Sequence, residues 1–274
     1  MPFQHWLNWC TMDHLIRASF PRTLWISFSN TVSLAWWWNS IVISAWLDLP
    51  AKYWLQNILS LENIVNDGFY DVGSFGRREV LRSDRPANTE FRFPTLEQLR
   101  KRSIDHKREV LLIDFNEDQA LQNILKLSKE GFSKYELIED RIAHVGEVIS
   151  NHQGGKVDRS RLESFAYSMH IKELKCSNQS NVLHIGSIRK GYFYHRALLF
   201  KALADRLGLS CALVRGDYHR AWNIVMIQVG DEVKSFIVDL MHQPGSLIPA
   251  ESLAAKEYES LKEKKIWLKF SKKK

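Results

Sequence analysis

Hydrophobic positions follow two different regimes along this chain. Between Thr23 and Leu47 apolar residues alternate irregularly with Ser, Thr and Asn, with no charge over 25 residues and three consecutive tryptophans, Trp36, Trp37 and Trp38, at the centre. From Leu61 onward apolar residues recur at helical or strand intervals between turn signals. Ile64 to Val72 holds Gly68 among bulky residues and predicts an opening segment with a turn. Ser74 to Phe93 is polar, Arg-rich and aperiodic, which predicts a surface loop. Thr95 with Gln98 three residues on forms a capping-box pattern for a short helix. Glu109 to Phe115 is a short apolar run that suits a buried strand. Asn116 is then expected to cap a helix whose Leu121, Ile124, Leu125 and Leu127 fall near one face. Tyr135 to His152 spaces Ile138, Ile142, Val145 and Ile149 helically, and Gly154-Gly155 ends it.

The most strongly patterned stretch runs from Gly191 to Asp239. Ala197, Leu198, Phe200, Lys201, Leu203, Ala204 and Leu207 give a helix apolar along a wide stripe, as a buried central helix should be. Gly208 supplies its left-handed C′ position. Three β-type runs follow, SCALVRG, AWNIVMIQV and KSFIVDLM, the last two divided by the tight-hairpin signal Gly230-Asp231. A helix N-terminus thus packs against an antiparallel sheet, an α+β arrangement.

Composition sharpens the division of the chain. With 274 residues, 45% hydrophobic and 25% charged, there is ample material for a core. Residues 1–60 hold eight of the ten tryptophans and only five charged residues, Asp13, Arg17, Arg22, Asp48 and Lys52. Three readings of that segment stay open. It is a marginal membrane anchor through residues 23–47, an apolar hairpin packed on the rest, or sequence foreign to the domain such as a misread exon. A span of that length crosses a bilayer, but its polar residues and central tryptophans argue against one, and it makes a poor secretory signal. The expected organisation is therefore residues 1–60 of uncertain status, a domain over 61–252, and a basic helical tail over 253–274. Much of the net charge of +7 lies in that tail. Such a tail can touch nucleic acid or acidic membrane, and is more often a frayed, solvated terminus. Three dispersed cysteines, Cys10, Cys176 and Cys211, suggest neither a disulfide framework nor a metal site and fit a reducing, cytoplasmic setting.

Six tracts carry a family resemblance in order: DGFYDVG (Asp67 to Gly73), FPTLEQL (Phe93 to Leu99), REVLLID (Arg108 to Asp114), HRALLFKALADRLGL (His195 to Leu209), RAWNIV (Arg220 to Val225) and VDLMHQPG (Val238 to Gly245). From about Leu61 to Ser252 the chain resembles the peptidase-like domain shared by animal armadillo-repeat-containing protein 3 and the plant Raf-like kinases of ethylene response and disease resistance. The animal proteins are the closer. The resemblance implies a transglutaminase-like, papain-like cysteine-protease fold. Neither armadillo repeats nor kinase motifs are present, so a stand-alone module or a fragment is expected.

That family frame gives each position a chemical role to test. A thiol nucleophile works as thiolate, activated by a helix N-terminus and a neighbouring imidazole. Active transglutaminase-like sequences resemble G-x-C-x-x-x-A. Here Gly191 and Ala197 match, and Phe193 stands where the cysteine should be. Tyr192 and Tyr194 are poor substitutes, because a phenol of pKa about 10 is protonated at neutral pH. The base should stand immediately before Ala-Trp-Asn, where Arg220 is found. His219 is one residue earlier, and one step along a strand turns a side chain to the opposite face. Asp239 is placed for the orienting carboxylate.

The remaining candidates have structural readings beside functional ones. His195 is a base, a ligand, or a structural histidine bonding a carbonyl. Arg196 and Arg220 either pair with Asp239 or Asp217 in a buried network or bind an anion. Trp222 is expected to pack against the helix. His144, His170, His184 and His242 lack ligand spacing, so no metal is expected, and without Walker A or GxGxxG no nucleotide cofactor is either. The expectation is a catalytically degenerate domain serving as a protein-interaction or regulatory module, with no specific nucleic-acid partner. The alternative is an active hydrolase or acyl-transferase using a non-standard nucleophile such as Ser187, Cys176 or Cys211.

Overall fold

The computed structural model describes residues 57–70, 96–105, 109–216 and 219–259, together with Leu49 and Tyr53. The expectations for residues 1–47, the loop 74–93, Thr95, Asp217 and the tail beyond 259 lie outside these described residues. In chain order the elements are β1 (Ile58–Leu59), β2 (Gly68–Tyr70), α1 (Leu96–Arg100), β3 (Val110–Ile113), α2 (Gln119–Phe132), α3 (Ile138–His152), α4 (Tyr167–Asn178), β4 (Val182–His184), α5 (Phe193–Leu207), β5 (Cys211–Arg215), β6 (Ala221–Val229), β7 (Glu232–Val238), β8 (Leu247–Pro249) and α6 (Leu253–Glu259). Five strands form an antiparallel sheet in the order β1-β5-β6-β7-β8. A smaller sheet, β2-β3-β4, joins an antiparallel pair to a parallel one. The fold is mixed α+β, with a buried helix on an antiparallel sheet as the patterning predicts. The second sheet and α4 are not anticipated by it.

Helix α5 is the centre of the core. Every residue from Phe193 to Ala204 is buried, and full burial of each large apolar side chain contributes about 1.5–3 kcal/mol. One side of the helix meets β5 and β6, the others meet α2 and α3. The buried alternate positions of β6, Ala221, Asn223, Val225 and Ile227, face α5. Asn223 Nδ2 donates to Ala197 O there at 3.1 Å. Gly208 stops the helix in the left-handed conformation at φ 76°. Gly230, at φ 63°, turns β6 into β7. A buried ion pair, Lys201 Nζ to Asp205 Oδ1 at 2.7 Å, ends in a second contact: Asp205 Oδ2 accepts from Val65 N at 2.7 Å. That link ties the approach to β2 onto the helix.

Several local expectations need correction. The cap of α2 is Asp118, whose Oδ1 accepts from Leu121 N at 3.0 Å, while Oδ2 accepts from Gly186 N at 2.8 Å. Asn116 belongs to the preceding turn, where its N–H donates to Asp114 Oδ1. Leu127 points outward at 55% exposure, because the buried face of α2 runs through Leu121, Ile124, Ser128 and Gly131. Helix α3 starts at Ile138 instead of Tyr135. Packing also reaches past both ends of the expected 61–252 domain. Leu59 is fully buried and pairs with Leu213, Tyr53 joins the same core, and Tyr258 of α6 is buried against it.

Candidate functional site

The N-terminus of α5 presents three consecutive aromatic rings, and each enters a different environment. Tyr192 is the extended N-cap residue. Its N–H donates to His195 Nδ1 at 3.0 Å, so the imidazole plays at N3 the part that Glu or Gln plays in a capping box. This bond fixes the tautomer: Nδ1 is an acceptor, and Nε2–H donates to Glu109 Oε1 at 2.8 Å. Tyr194 Oη donates to the same carboxylate oxygen. Burial alone would raise the Glu109 carboxyl, but the hydrogen bonds from His195 and Tyr194 outweigh it and hold it at about 2. Lys175, also buried, adds an attractive charge to this group. His195 therefore bonds a carboxylate and a backbone N–H, where a carbonyl was expected. The spacing of 86 positions between it and Glu109 hides the pair from any local pattern.

Phe193 faces the other way, and His219 and Arg220 divide between the two sides. The Arg220 guanidinium carbon lies 3.8 Å from the Phe193 ring centroid. His219, in the left-handed region at φ 64°, instead places its ring 5.7 Å from that of Tyr194. The one-residue step thus sends the imidazole to the Tyr194 side and the guanidinium to Phe193. Around the Phe193 ring stand Tyr192 at 5.0 Å, Tyr258 at 5.4 Å and His242 at 5.7 Å between centroids. Sequence reasoning weighed His242 only as a metal ligand and missed Tyr258, although VDLMHQPG contains the histidine. His242 Nδ1 donates to Val157 O at 2.8 Å, and burial keeps the imidazole below its usual pKa. In the neutral form Nδ1–H is spent on that carbonyl and the lone pair lies on Nε2.

Asp239 does not pair with either arginine by hydrogen bond. Its Oδ1 accepts from Met241 N and His242 N at 2.8 Å each, and Oδ2 from Gln243 N at 2.9 Å. The carboxylate shapes its own loop, which a left-handed Gly245 closes through Gly245 N to Asp239 O at 2.7 Å. Arg196 has also been drawn elsewhere. It is fully buried and donates five hydrogen bonds, to Gly191 O, Ser150 Oγ, Leu240 O, Gln153 O and Gly155 O, at 2.7–3.1 Å. Burial lowers the guanidinium to about 10, so it stays charged at neutral pH. Four convergent carbonyls replace the expected carboxylate. Trp222 lies on the face of β6 opposite Asn223, against Gly216, and not against α5.

The alternative nucleophiles are poorly served. Cys211 is buried under α5, and burial pushes its thiol up to about 12. Cys176 is exposed on α4. Ser187 Oγ donates to His184 O at 2.6 Å, which directs its proton to a backbone carbonyl. Among the described residues no His, Cys, Asp and Glu cluster could hold a metal ion. No helix among them is long and apolar enough to cross a membrane.

Comparison with known proteins agrees with the tracts quoted above. Human armadillo repeat-containing protein 3 is 44% identical over 131 residues, covering 44% of this chain and 15% of that protein. The probable serine/threonine-protein kinase SIS8 of Arabidopsis thaliana is 31% identical over 216 residues, 73% of this chain and 20% of the kinase. The Arabidopsis serine/threonine-protein kinase CTR1 is 25% identical over 207 residues, 74% of this chain and 25% of the kinase. The chain thus matches a quarter or less of the length of these relatives. No solved structure matches it. The model of the EDR1/CTR1/ARMC3 peptidase-like family matches residues 47–248, from before β1 through β8, and the chain belongs to that family.

Proposed function

We propose that this domain is a catalytically degenerate, transglutaminase-like member of the peptidase-like family that works as a protein-interaction or regulatory module. One observation carries the reading: Phe193 fills the position at the start of α5 where a thiol would be activated, and Arg220 covers its ring. Phenylalanine offers no nucleophilic atom, and a guanidinium cannot accept a proton at any physiological pH. The imidazole at the neighbouring position, His219, is turned to Tyr194. What supports a regulatory role is the company the family keeps, since relatives of this domain include serine/threonine-protein kinases many times its length. The scaffold of an acyl-transfer site then serves to hold a rigid surface for another protein chain in the cytoplasm.

The test is thiol reactivity together with turnover. The full chain is treated with an iodoacetamide probe at pH 6 and pH 8 and assayed against fluorogenic amide and ester substrates. Exposed Cys176 should label as an ordinary thiol, Cys211 should stay unlabelled, and no substrate should turn over. Fast, selective labelling of one cysteine at pH 6, abolished by His219→Ala or His242→Ala, would show an activated nucleophile and end the degenerate reading.

A further inference from the structure

The Phe193 side of α5 holds a donor that the protein leaves half used. Arg220 is 4% exposed. Its Nη1 donates to Tyr258 O at 3.1 Å, and its Nε, fully buried, has no hydrogen-bond partner. No hydrogen bond engages Nη2 among the described residues either. Nε and Nη2 form one edge of the guanidinium, the planar fork that takes a carboxylate through two parallel hydrogen bonds. A buried polar donor left unmatched costs about 1–3 kcal/mol, more when charged, so this edge is not a neutral feature of the core.

Asp239 and Glu257 are already committed. Asp239 spends both oxygens on the backbone N–H groups of Met241, His242 and Gln243. Glu257 is paired with Arg159 at 2.6 Å. Among the described residues no carboxylate pairs with Arg220. Further polar groups border the same spot. Tyr192 and His242 both pack edge-on against the Phe193 ring that floors the guanidinium. Tyr192 and His242 are each 9% exposed and Arg220 4%, so this corner lies at the edge of the buried region. The N-terminal end of the fifteen-residue α5 adds positive potential at this place.

We infer that the Nε–Nη2 edge of Arg220, floored by Phe193 and bordered by Tyr192 and His242, receives a carboxylate carried by a partner peptide. This rests on the interaction-module reading and gives it a ligand chemistry. The carboxylate belongs to an Asp or Glu side chain or to a chain terminus. A planar two-oxygen acceptor matches the fork.

The experiment uses the full chain labelled with 15N at arginine side chains. The Arg220 Nε–H signal is identified by its disappearance in Arg220→Lys. Acetyl-Gly-Glu-Gly-amide, acetyl-Gly-Gly-Gly with a free carboxylate, acetyl-Gly-Gln-Gly-amide and inorganic phosphate are titrated separately. The expected result is a saturable shift of this signal with one or both acidic peptides and none with the Gln peptide. Which acidic peptide binds more tightly tells a side-chain carboxylate from a terminal one. Arg220→Lys, followed through the His242 ring signal, should weaken binding by about tenfold or more, or about 1.4 kcal/mol. No shift with either acidic peptide, or an equal shift with the Gln peptide or with phosphate, overturns the inference. A protein partner that binds wild type and Arg220→Lys equally well would also overturn it, and would leave the interaction-module reading standing.

Discussion

Replacing Arg196 with methionine removes a guanidinium that is fully buried and holds four carbonyls and one hydroxyl. Those acceptors come from the α3 end, the loop before α5 and the loop after β7, so one side chain staples three segments. Hydrogen bonds to a charged group are worth about 1.5–3 kcal/mol each, so five amount to roughly 7–15 kcal/mol before any cost is charged. Against this stands the desolvation of the cation, still several kcal/mol in real proteins. Methionine regains some apolar burial but leaves the acceptors unmatched. The net loss is therefore about 3–5 kcal/mol, the range seen when one partner of a buried charge network is deleted. With m near 3 kcal/mol/M, the urea midpoint falls by about 1–1.7 M. Arg196→Lys should fall between, because an ammonium keeps the charge but has three donors in a shape that cannot reach five acceptors. Equilibrium urea unfolding followed by far-UV circular dichroism measures all three proteins. A methionine variant within about 1 kcal/mol of wild type would refute the reasoning, since it would mean the five bonds merely balance the burial of the charge.

Three further outcomes are expected. Phe193→Ala should cost about 3–5 kcal/mol through the cavity it leaves and the lost stacking under Arg220, read by the same urea titration. Cys211, its thiol raised to about 12 by burial, should resist Ellman's reagent at pH 8 until the protein is unfolded, whereas Cys176 reacts at once; peptide mass mapping separates the two. Glu109 is a carboxyl depressed in the folded state from 4.5 to about 2, so its contribution is fully present above about pH 4.5 and lost as pH falls toward 2. At 1.36 kcal/mol per unit that contribution is about 3 kcal/mol. Glu109→Gln should thus lower stability at pH 7 and flatten the stability–pH curve between pH 4.5 and 2. An unchanged acid limb would show that His195 and Tyr194 do not hold the ionised carboxylate.

Much of the helix-on-sheet layer is legible in the sequence, because its signals are local. The wide apolar stripe of α5, the stop at Gly208 and the hairpin at Gly230 each follow from short-range stereochemistry, and all three appear in the structure. Helix α4 escapes because only Ile171 and Lys175 of its residues are buried, which leaves no apolar period to find. Strand β4 has three residues, and its parallel pairing with β3 depends on a crossover through α2, α3 and α4. The site shows the same limit. That His219 and Arg220 point apart is foreseeable from alternation, but the structure produces it differently: both precede β6, and His219 sits in a left-handed turn at φ 64°. The partners of His195 and Arg196 are not foreseeable, because Glu109 and the carbonyls of Gln153 and Leu240 come from distant segments. Asp118 outcompetes Asn116 as a cap because its second oxygen also reaches Gly186, 68 positions away.

The contact of Phe193 with Arg220 bears on how freely either position can change. The ring is packed on one face by a cation and on its edges by Tyr192, Tyr258 and His242. A cysteine at position 193 would empty the space of a phenyl ring and strand the guanidinium above it. A histidine at position 220 would remove the guanidinium, its bond to Tyr258, and the cover over the ring. Each step is unfavourable while the other residue is in place. Each side chain of the pair therefore makes the other costly to change alone.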